Sequence, residues 1–545
     1  MAPAAKRKRA DGRIWVWLSG ASLLLILAMM AIIGFLVCAN SFQVLWPSRL
    51  DLVALADGSV FLGFPMNGDI SPEGLPRTRY KVGNREINSG ADFRWIYEQD
   101  VVKRNHPQEA LVVNRMENGD FYGFLKRRTG GRNESATESP EEFRESLVDF
   151  QRRWNSLAEP PRRRLAALGD AWQENHLAFL KAEYEMRRAL TPDAAEMWKA
   201  NLERSIEREE AVKTESERAM SLFNAIRDEF QAETAVFATA DGTEISFPLS
   251  ALADVSSPND MGWTAKAWRF AVNVWNILSQ YPREANTDGG LFPALLGTVA
   301  LVFLMAVTSF PLGVAAGVYL REYARDGILS RSARVAVNNL AGVPSIVYGI
   351  FGLGFFVYGM GGSIDRLLYP ERVAAGISTY GGGGIIWSSL TLGLLTLPVV
   401  IVATEEALAT VPSEIRHGSL ALGATRFQTL CRVVLPMASP GILTGFILAM
   451  ARAAGEVAPL MLTGAVKSAH SLPLDGEWPF VHVERKFMHL GFHIYDMGFQ
   501  SPNVEASKPL VYLTALILLI LVFVLNFAAI GLRKRMREKY AMRGF

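Results

Sequence analysis

The chain has 545 residues, 50% of them hydrophobic and 20% charged, with 56 Lys and Arg against 54 Asp and Glu for a formal net charge of +2. That excludes a disordered chain, which needs low hydrophobicity and high net charge, and the near-balance argues against a general nucleic-acid binder. Two cysteines, Cys38 and Cys431, exclude a disulfide framework, and what remains is a large soluble protein or a membrane protein carrying a soluble part.

The order of residues decides between these. A basic tail, 1–13, holds Lys6, Arg7, Lys8, Arg9 and Arg13 and leads into a charge-free run at 14–48. Further charge-free runs follow at 289–320, 335–364, 373–404, 433–451 and 509–532. A bilayer core of ~30 Å needs about 20 apolar residues in a helix, and each run reaches or nearly reaches that. The pattern predicts six membrane helices with cores near 14–38, 293–320, 335–359, 385–404, 438–462 and 510–532. The first run is too long for a signal peptide and no small-residue cleavage site follows, so it reads as an uncleaved anchor.

Positive charge sets the orientation. The first tail, the segment with Arg321, Arg325, Arg331 and Arg334, the segment with Arg416, Arg426 and Arg432, and the tail 533–545 fall on one side if the spans alternate. That is the cytoplasmic side, which puts both termini inside and residues 40–290 outside.

The outer segment reads differently. VALADGSVF at 53–61, VVNRMENGDFY at 112–122 and VFATADGTEI at 236–245 each place Asp-Gly or Asn-Gly between β-prone residues. That pair suits the positive φ angles of a tight hairpin turn, so three related hairpins are expected in a small β domain. Between the second and third lies a stretch, about 140–233, rich in Glu, Arg, Ala and Leu. It reads as two or three long helices, broken near Pro160-Pro161 and near Thr191-Pro192, where Asp193 marks a fresh start. A mixed-charge helical insert is ordinarily a solvated structural element; a partner-binding arm is the other reading.

No stretch matches GxxxxGK[ST], so the chain offers no nucleotide-binding loop of its own. The Gly-rich stretches 359–362 and 381–384 lack a following Lys-Ser/Thr and read as loops in the outer connection between spans three and four. His482, His489 and His493 share one outer loop, but without nearby Cys or an HExxH motif they read as surface or packing residues rather than a zinc site. No nucleophile motif is present, so no catalytic, metal or cofactor site is expected.

Two features carry chemistry. The segment EEALATVPSEIRHGSLALGATRFQTLCRVVLP at 405–436 reads as two short amphipathic helices joined at Gly423, whose missing Cβ permits a left-handed turn. Leu408, Ile415 and Leu422 are spaced to share an apolar face. Spacing alone leaves two uses open: docking in a groove on a soluble partner or lying on the membrane surface. The second feature is Arg452 and Glu456 in span five. A charge near the bilayer centre costs about 2.5–3.5 kcal/mol on insertion scales, so it faces a cavity or a partner. Four residues apart, the two share one helix face and compensate each other. A purely structural pair is the competing reading.

Gly423, nine intervening residues, Val433 and Leu435-Pro436 resemble the cytoplasmic loop of bacterial ABC importer permeases. The family's leading Glu-Ala-Ala falls here on His417-Gly418-Ser419. NLAGVPSIVYG at 339–349, TEEAL at 404–408, ALGAT at 421–425, ARAAGE at 451–456 and IYDMGFQSPNVEASKPL at 494–510 are similar to the PstA-type phosphate permeases. The resemblance covers about 290–535; residues 40–290 resemble an extension of a long proteobacterial form.

The resemblance implies an α-helical integral membrane protein, with one anchor helix (14–38), a mixed α+β periplasmic domain (40–290) and a five-helix type I ABC permease core (291–535). It implies an inner-membrane subunit that forms half of a phosphate path and hydrolyses no ATP itself. The implied partners are a second homologous permease subunit, two cytoplasmic ATPases and a periplasmic phosphate-binding protein; the resemblance offers no function for the outer domain, which is expected to contact the binding protein or the partner permease. Glu406, Ala407, Leu408, Ile415, Ala421, Leu422, Gly423, Ala424, Val433, Leu435 and Pro436 would meet the ATPases. Arg452 would supply positive potential along the path, with Glu456 holding it in place. Permeases for molybdate or sulfate, and a membrane-anchored sensor, are the rival readings.

Overall fold

The structure is a computed structural model and describes residues 13–84, 92–129, 139–283, 286, 288–469, 471–476, 478, 480–501 and 504–541. Lys6, Arg7, Lys8 and Arg9 of the basic tail lie outside the described residues. Among the described residues the fold is mostly helical, with six helices long and apolar enough to cross a membrane and a separate sheet-rich α+β region between the first and second.

The chain begins with α1 (Arg13–Leu45), about 50 Å long at 1.5 Å per residue. Its Trp17, Leu24 and Phe35 are exposed, as expected of a helix whose solvent is lipid. Seven strands follow: β1 (Asp51–Leu55), β2 (Val60–Ile70), β3 (Pro76–Lys81), β4 (Phe93–Tyr97), β5 (Val101–Asn105), β6 (Leu111–Arg115) and β7 (Asp120–Thr129). Two long helices, α2 (Pro140–Arg188) and α3 (Pro192–Gln231), precede β8 (Thr234–Ala238), β9 (Glu244–Pro248) and β10 (Leu252–Ser256).

These strands form two five-stranded antiparallel sheets, ordered β4-β3-β2-β1-β5 and β10-β6-β7-β8-β9. Hairpins β1–β2, β6–β7 and β8–β9 turn at Asp57-Gly58, Asn118-Gly119 and Asp241-Gly242, where Asn118 and all three glycines have positive φ. The sheets meet through Leu62, Val112 and Tyr122, with Phe64 edge-on to Tyr122 at 5.2 Å. The second sheet's other face packs on the base of the helical pair through Phe121, Phe143, Phe150, Phe230 and Phe237. β3, β4, β5 and β10 extend the module beyond three hairpins. Their polar residues (PRTRYK in β3) carry little hydrophobic alternation to announce a strand.

The helical insert departs from expectation at one point: α2 runs unbroken through Pro160-Pro161. Two prolines remove two helix hydrogen bonds and cost about 3 kcal/mol each in a free helix. Here α3 packs along α2 on both sides of the pair, with Trp154 against Phe230 at 5.3 Å and Asn175 donating to the Ser205 carbonyl at 2.7 Å. Ser156 is exposed, so water meets its carbonyl, which is left without a helix donor. The break at Thr191-Pro192 stands, with the Thr191 hydroxyl accepting from the Ala194 amide.

An amphipathic helix, α4 (Trp263–Ser279), and a two-residue ladder, β11 (Pro282–Arg283) with β12 (Asp288–Gly289), lead into the bundle. The bundle comprises α5 (Phe292–Val318), α6 (Ile328–Leu340), α7 (Ser345–Phe351), α8 (Gly362–Leu368), α9 (Pro370–Ala374), α10 (Ile385–Ala409), α11 (Ser413–Ala421), α12 (Arg426–Thr429), α13 (Leu435–Gly455), α14 (Ala458–Thr463), α15 (Leu490–Tyr495) and α16 (Val504–Ala541). The six spans are Val16–Leu45, Phe292–Tyr323, Ser345–Leu368, Ile385–Ala409, Arg426–Gly455 and Ser507–Met536.

Two span positions are corrected. The third does not begin at 335: Pro344 ends the amphipathic α6 upstream and opens α7. The fifth is not continuous to 462: Pro459 has no N–H to give the Gly455 carbonyl, so the helix stops at Gly455 and restarts as α14. The stretch 359–362 is likewise not a loop. It continues α7 through a π-helical turn into α8, and Gly361 is needed because a Cβ there would sit 2.5 Å from the Tyr380 carbonyl oxygen.

α10 lies at the centre of the bundle, packed on α5 and α13, while α16 packs on α13 and α1. Close approach of α13 to α10 depends on Gly445, where an added Cβ would sit 2.4 Å from that of Ala403. Small residues of this kind take the place of a hydrophobic drive between helices in lipid.

Candidate substrate path and coupling segment

Arg452 lies in the last turn of α13 and Glu456 is its C-cap residue, in extended conformation. The guanidinium Nε donates to Glu456 Oε1 at 3.4 Å. A cation in the last turn also meets the negative end of the helix dipole. The pair therefore sits at an interruption in the span rather than inside a regular helix. Non-helical backbone at membrane depth is tolerated only where protein buries it or a water-filled cavity receives it. Arg452 is about one-third exposed, and its two terminal NH2 groups have no hydrogen-bond partner among the described residues. That leaves the fork able to meet two oxygens of one anion.

Several buried hydroxyls of the bundle are committed to neighbouring groups. Ser309 donates to the Gly393 carbonyl at 3.0 Å, Thr404 to the Val400 carbonyl at 2.7 Å, and Ser388 lies 2.9 Å from the Thr463 hydroxyl. All three histidines, His482, His489 and His493, are buried, and His482 pairs with Asp475 at 3.0 Å. Among the described residues no group of three or more metal-binding side chains converges.

The segment 405–436 divides into buried and exposed parts. Ala407 and Leu408 end α10 and join Val411, Leu430, Val434 and Ala438 in a packed cluster, with Leu435 against its edge. Leu408 therefore does not share a face with Ile415 and Leu422: it belongs to a different helix and points into the bundle. Glu406, Ile415, Ala421, Leu422 and Gly423 are exposed, Leu422 at 91%, whereas Ala424, Val433, Leu435 and Pro436 are half-buried. Gly423 has φ +85° and reverses the chain between α11 and α12. Thr425 caps α12, its hydroxyl accepting from the Gln428 amide while Gln428 Oε1 accepts from the Thr425 amide.

Two side chains outside the predicted set brace this region, one tying the hairpin to the bundle and the other tying α6 to α10 and span two. Arg416 of α11 pairs with Glu322, at the end of span two, at 2.9 Å and donates to the Leu408 carbonyl at 2.5 Å. Arg334 of α6 reaches Glu405 at 3.4 Å and the Leu320 carbonyl at 2.8 Å. Phe427, also outside the set, is 67% exposed beside Leu422 in sequence and lines an apolar groove of about 770 Å³ with Phe310, Val318, Leu430 and Cys431. A large apolar residue in a polar four-residue helix was the signal available for Phe427. The arginine pairings carry none, because their partners lie far away in sequence.

Residues 309–538 match the family described as binding-protein-dependent transport system inner membrane component. The chain is 38% identical over 187 residues to "Phosphate transport system permease protein PstA 1" of Mycobacterium tuberculosis strain H37Rv, covering 34% of this chain and 54% of that one. It is 33% identical over 249 residues to "Probable ABC transporter permease protein YqgI" of Bacillus subtilis strain 168, covering 44% and 76%. It thus spans about half the length of the mycobacterial relative. An inward-facing structure of the MetNI methionine ABC transporter aligns with 45% of this chain and 95% of its own, at 21% identity and a TM-score of 0.33.

Proposed function

The chain belongs to the binding-protein-dependent transport system inner membrane components, and from that premise we propose that it is a membrane-spanning permease subunit of an ATP-driven phosphate importer. What supports phosphate is the kinship, over the bundle, with proteins named as phosphate transport permeases. The observation that carries the site is the unpaired guanidinium fork of Arg452 at the interruption of span five.

In this reading the subunit forms half of the path beside a second homologous permease. A soluble phosphate-binding protein delivers substrate outside, and two ATPases dock below on the exposed side of α11 and α12. Both termini are cytoplasmic and residues 40–290 are periplasmic, following the placement of Lys and Arg. The exposed residues Glu406, Ile415, Ala421, Leu422 and Gly423, with Phe427, form the docking surface. Ala407, Leu408, Val433, Leu435 and Pro436 support it from beneath. Arg416 carries movement of the hairpin into spans two and four, through Glu322 and the Leu408 carbonyl. ATP shifts the bundle only through differential affinity for its two states. Glu456 holds Arg452 until an oxyanion competes for the guanidinium.

The test is phosphate uptake in cells lacking this protein, complemented by variants matched for membrane level. Hydrogen bonds to a charged group contribute about 1.5–3 kcal/mol, so Arg452→Ala lowers uptake on the order of tenfold to a hundredfold. Arg452→Lys keeps the charge, loses the fork and falls between. Full uptake by Arg452→Ala refutes the path role. Uptake of molybdate or sulfate in place of phosphate refutes the substrate.

A further inference from the structure

We infer that α4 is an interfacial helix whose tryptophan face is seated in the outer-leaflet headgroup region, so that the outer domain rests on lipid as well as on the bundle. Trp263, Trp268 and Trp275 are 75%, 71% and 68% exposed. Trp268 and Trp275 are two turns apart and share one side with Ala271. No Asp or Glu lies in the helix, and its two cations are turned away from that side: Arg269 is buried against Asp254 and Lys266 is half-buried. A water-facing helix of a soluble domain would carry charge here.

The opposite face fixes the height of α4. Phe270, Val274 and Ile277 pack with Leu45 at the end of α1 and with Leu510 and Leu513 near the start of the last span. Phe270 stacks near Phe42 and Trp46 at 5.4 and 6.0 Å. Asn273 donates to the Leu45 carbonyl at 2.9 Å, and the Ile277 carbonyl accepts from the Leu291 amide at 2.7 Å, one residue before α5. One helix thus touches the ends of three spans where they leave the same side of the bilayer. Indole rings are enriched at that level because an apolar body and an N–H donor suit a boundary that is apolar on one side and wet on the other. The occupant that fits is phospholipid, engaged on this face by the rings of Trp268 and Trp275 and by no acidic group.

The inference is independent of what is transported, and site-directed spin labelling of the full chain tests it. In a Cys38→Ser/Cys431→Ser background, nitroxides are placed at Trp268→Cys, at Trp275→Cys and, as an aqueous reference, at Glu207→Cys on α3. The protein is reconstituted in phosphatidylethanolamine–phosphatidylglycerol vesicles. The ratio of collisions with oxygen to collisions with a water-soluble nickel chelate is expected several-fold higher at 268 and 275 than at 207. A ratio equal to the reference overturns the inference, as does protection from both reagents, which marks a protein cover. As a check without cysteines, acyl-chain-brominated lipid quenches the wild type more than Trp268→Phe/Trp275→Phe; equal fractional quenching counts against the proposal.

Discussion

Gly423 holds φ +85° at a point where no atom lies within 4 Å of the Cβ it lacks. Space therefore does not require glycine, but backbone conformation does. An L-residue in the left-handed region costs roughly 1–2 kcal/mol. Gly423→Ala is expected to leave membrane level unchanged and to loosen the α11–α12 reversal. Faster amide hydrogen exchange at Ala424, whose N–H bonds the Ser419 carbonyl at 3.3 Å, reports it. His489 and His493 present the opposite situation, with conformation ordinary and environment decisive. Burial pushes His489 down to about 3 and His493 down to about 4, Asp496 partly opposing the second shift. Both are neutral in the folded chain, and the Nε2 of each has no hydrogen-bond partner among the described residues. An unfolded histidine takes up a proton near 6.5, so acid favours unfolding. Their contribution is complete above that value and is lost as pH falls through 6.5 toward 4. Thermal stability in detergent should therefore drop between neutral pH and about pH 5. His489→Gln/His493→Gln should show a flatter profile; an unchanged slope would locate the acid sensitivity elsewhere.

The α11 helix is nine residues long, too short to persist in water without tertiary support. Its support is specific: the Arg416–Glu322 pair joins it to span two, with both side chains about one-fifth exposed. Removing one partner of such a pair leaves the other charge poorly solvated. Arg416→Ala and Glu322→Ala are each expected to cost about 1–2 kcal/mol. Combined, they should cost less than their sum, because contacting residues couple. If α11 transmits movement, both variants raise ATP hydrolysis without substrate in the assembled transporter and lower uptake. Additive effects on the two readouts would deny the coupling. None of this was legible in the sequence, where Glu322 and Arg416 lie far apart. By contrast, the turns at Asp57-Gly58, Asn118-Gly119 and Asp241-Gly242 were readable, because positive φ is a local demand met by a local residue pair. The same contrast explains α2. Proline chemistry at Pro160-Pro161 predicts a break, and only α3, visible once the chain is folded, overrides it. The Arg452–Glu456 spacing was legible, but the interruption that leaves the Arg452 fork unpaired needed Pro459 to be weighed against the apolar run.

The near-neutral total charge of the whole molecule averages an almost uncharged bundle with a charge-rich domain between the first two spans, and the structure locates the junction between them. The Leu50 amide donates to Asn259 Oδ1 at 2.8 Å, and Asn259 Nδ2 donates back to the Leu50 carbonyl at 2.8 Å. The chain thus enters and leaves this sheet-rich domain side by side. The helical pair also reaches back onto the bundle, where α2 packs against α9 in the connection between spans three and four. Two deletions separate these attachments. Removing 51–258 and joining the ends with a short Gly-Ser linker keeps α4, which covers Leu45, Leu510 and Leu513. Removing 45–285 deletes Leu45 and α4 together and uncovers Leu510 and Leu513 near the start of the last span. The shorter deletion is expected to reach the membrane at wild-type level but with reduced phosphate uptake, because the contact of α2 on α9 is lost. The longer one should accumulate poorly, since exposed apolar surface of that kind favours misassembly. Immunoblots of membrane fractions alongside uptake assays check both outcomes. Equal membrane levels for the two deletions would show that α4 is dispensable for assembly, and unchanged uptake in the shorter one would show that the outer domain does not act on transport through α9.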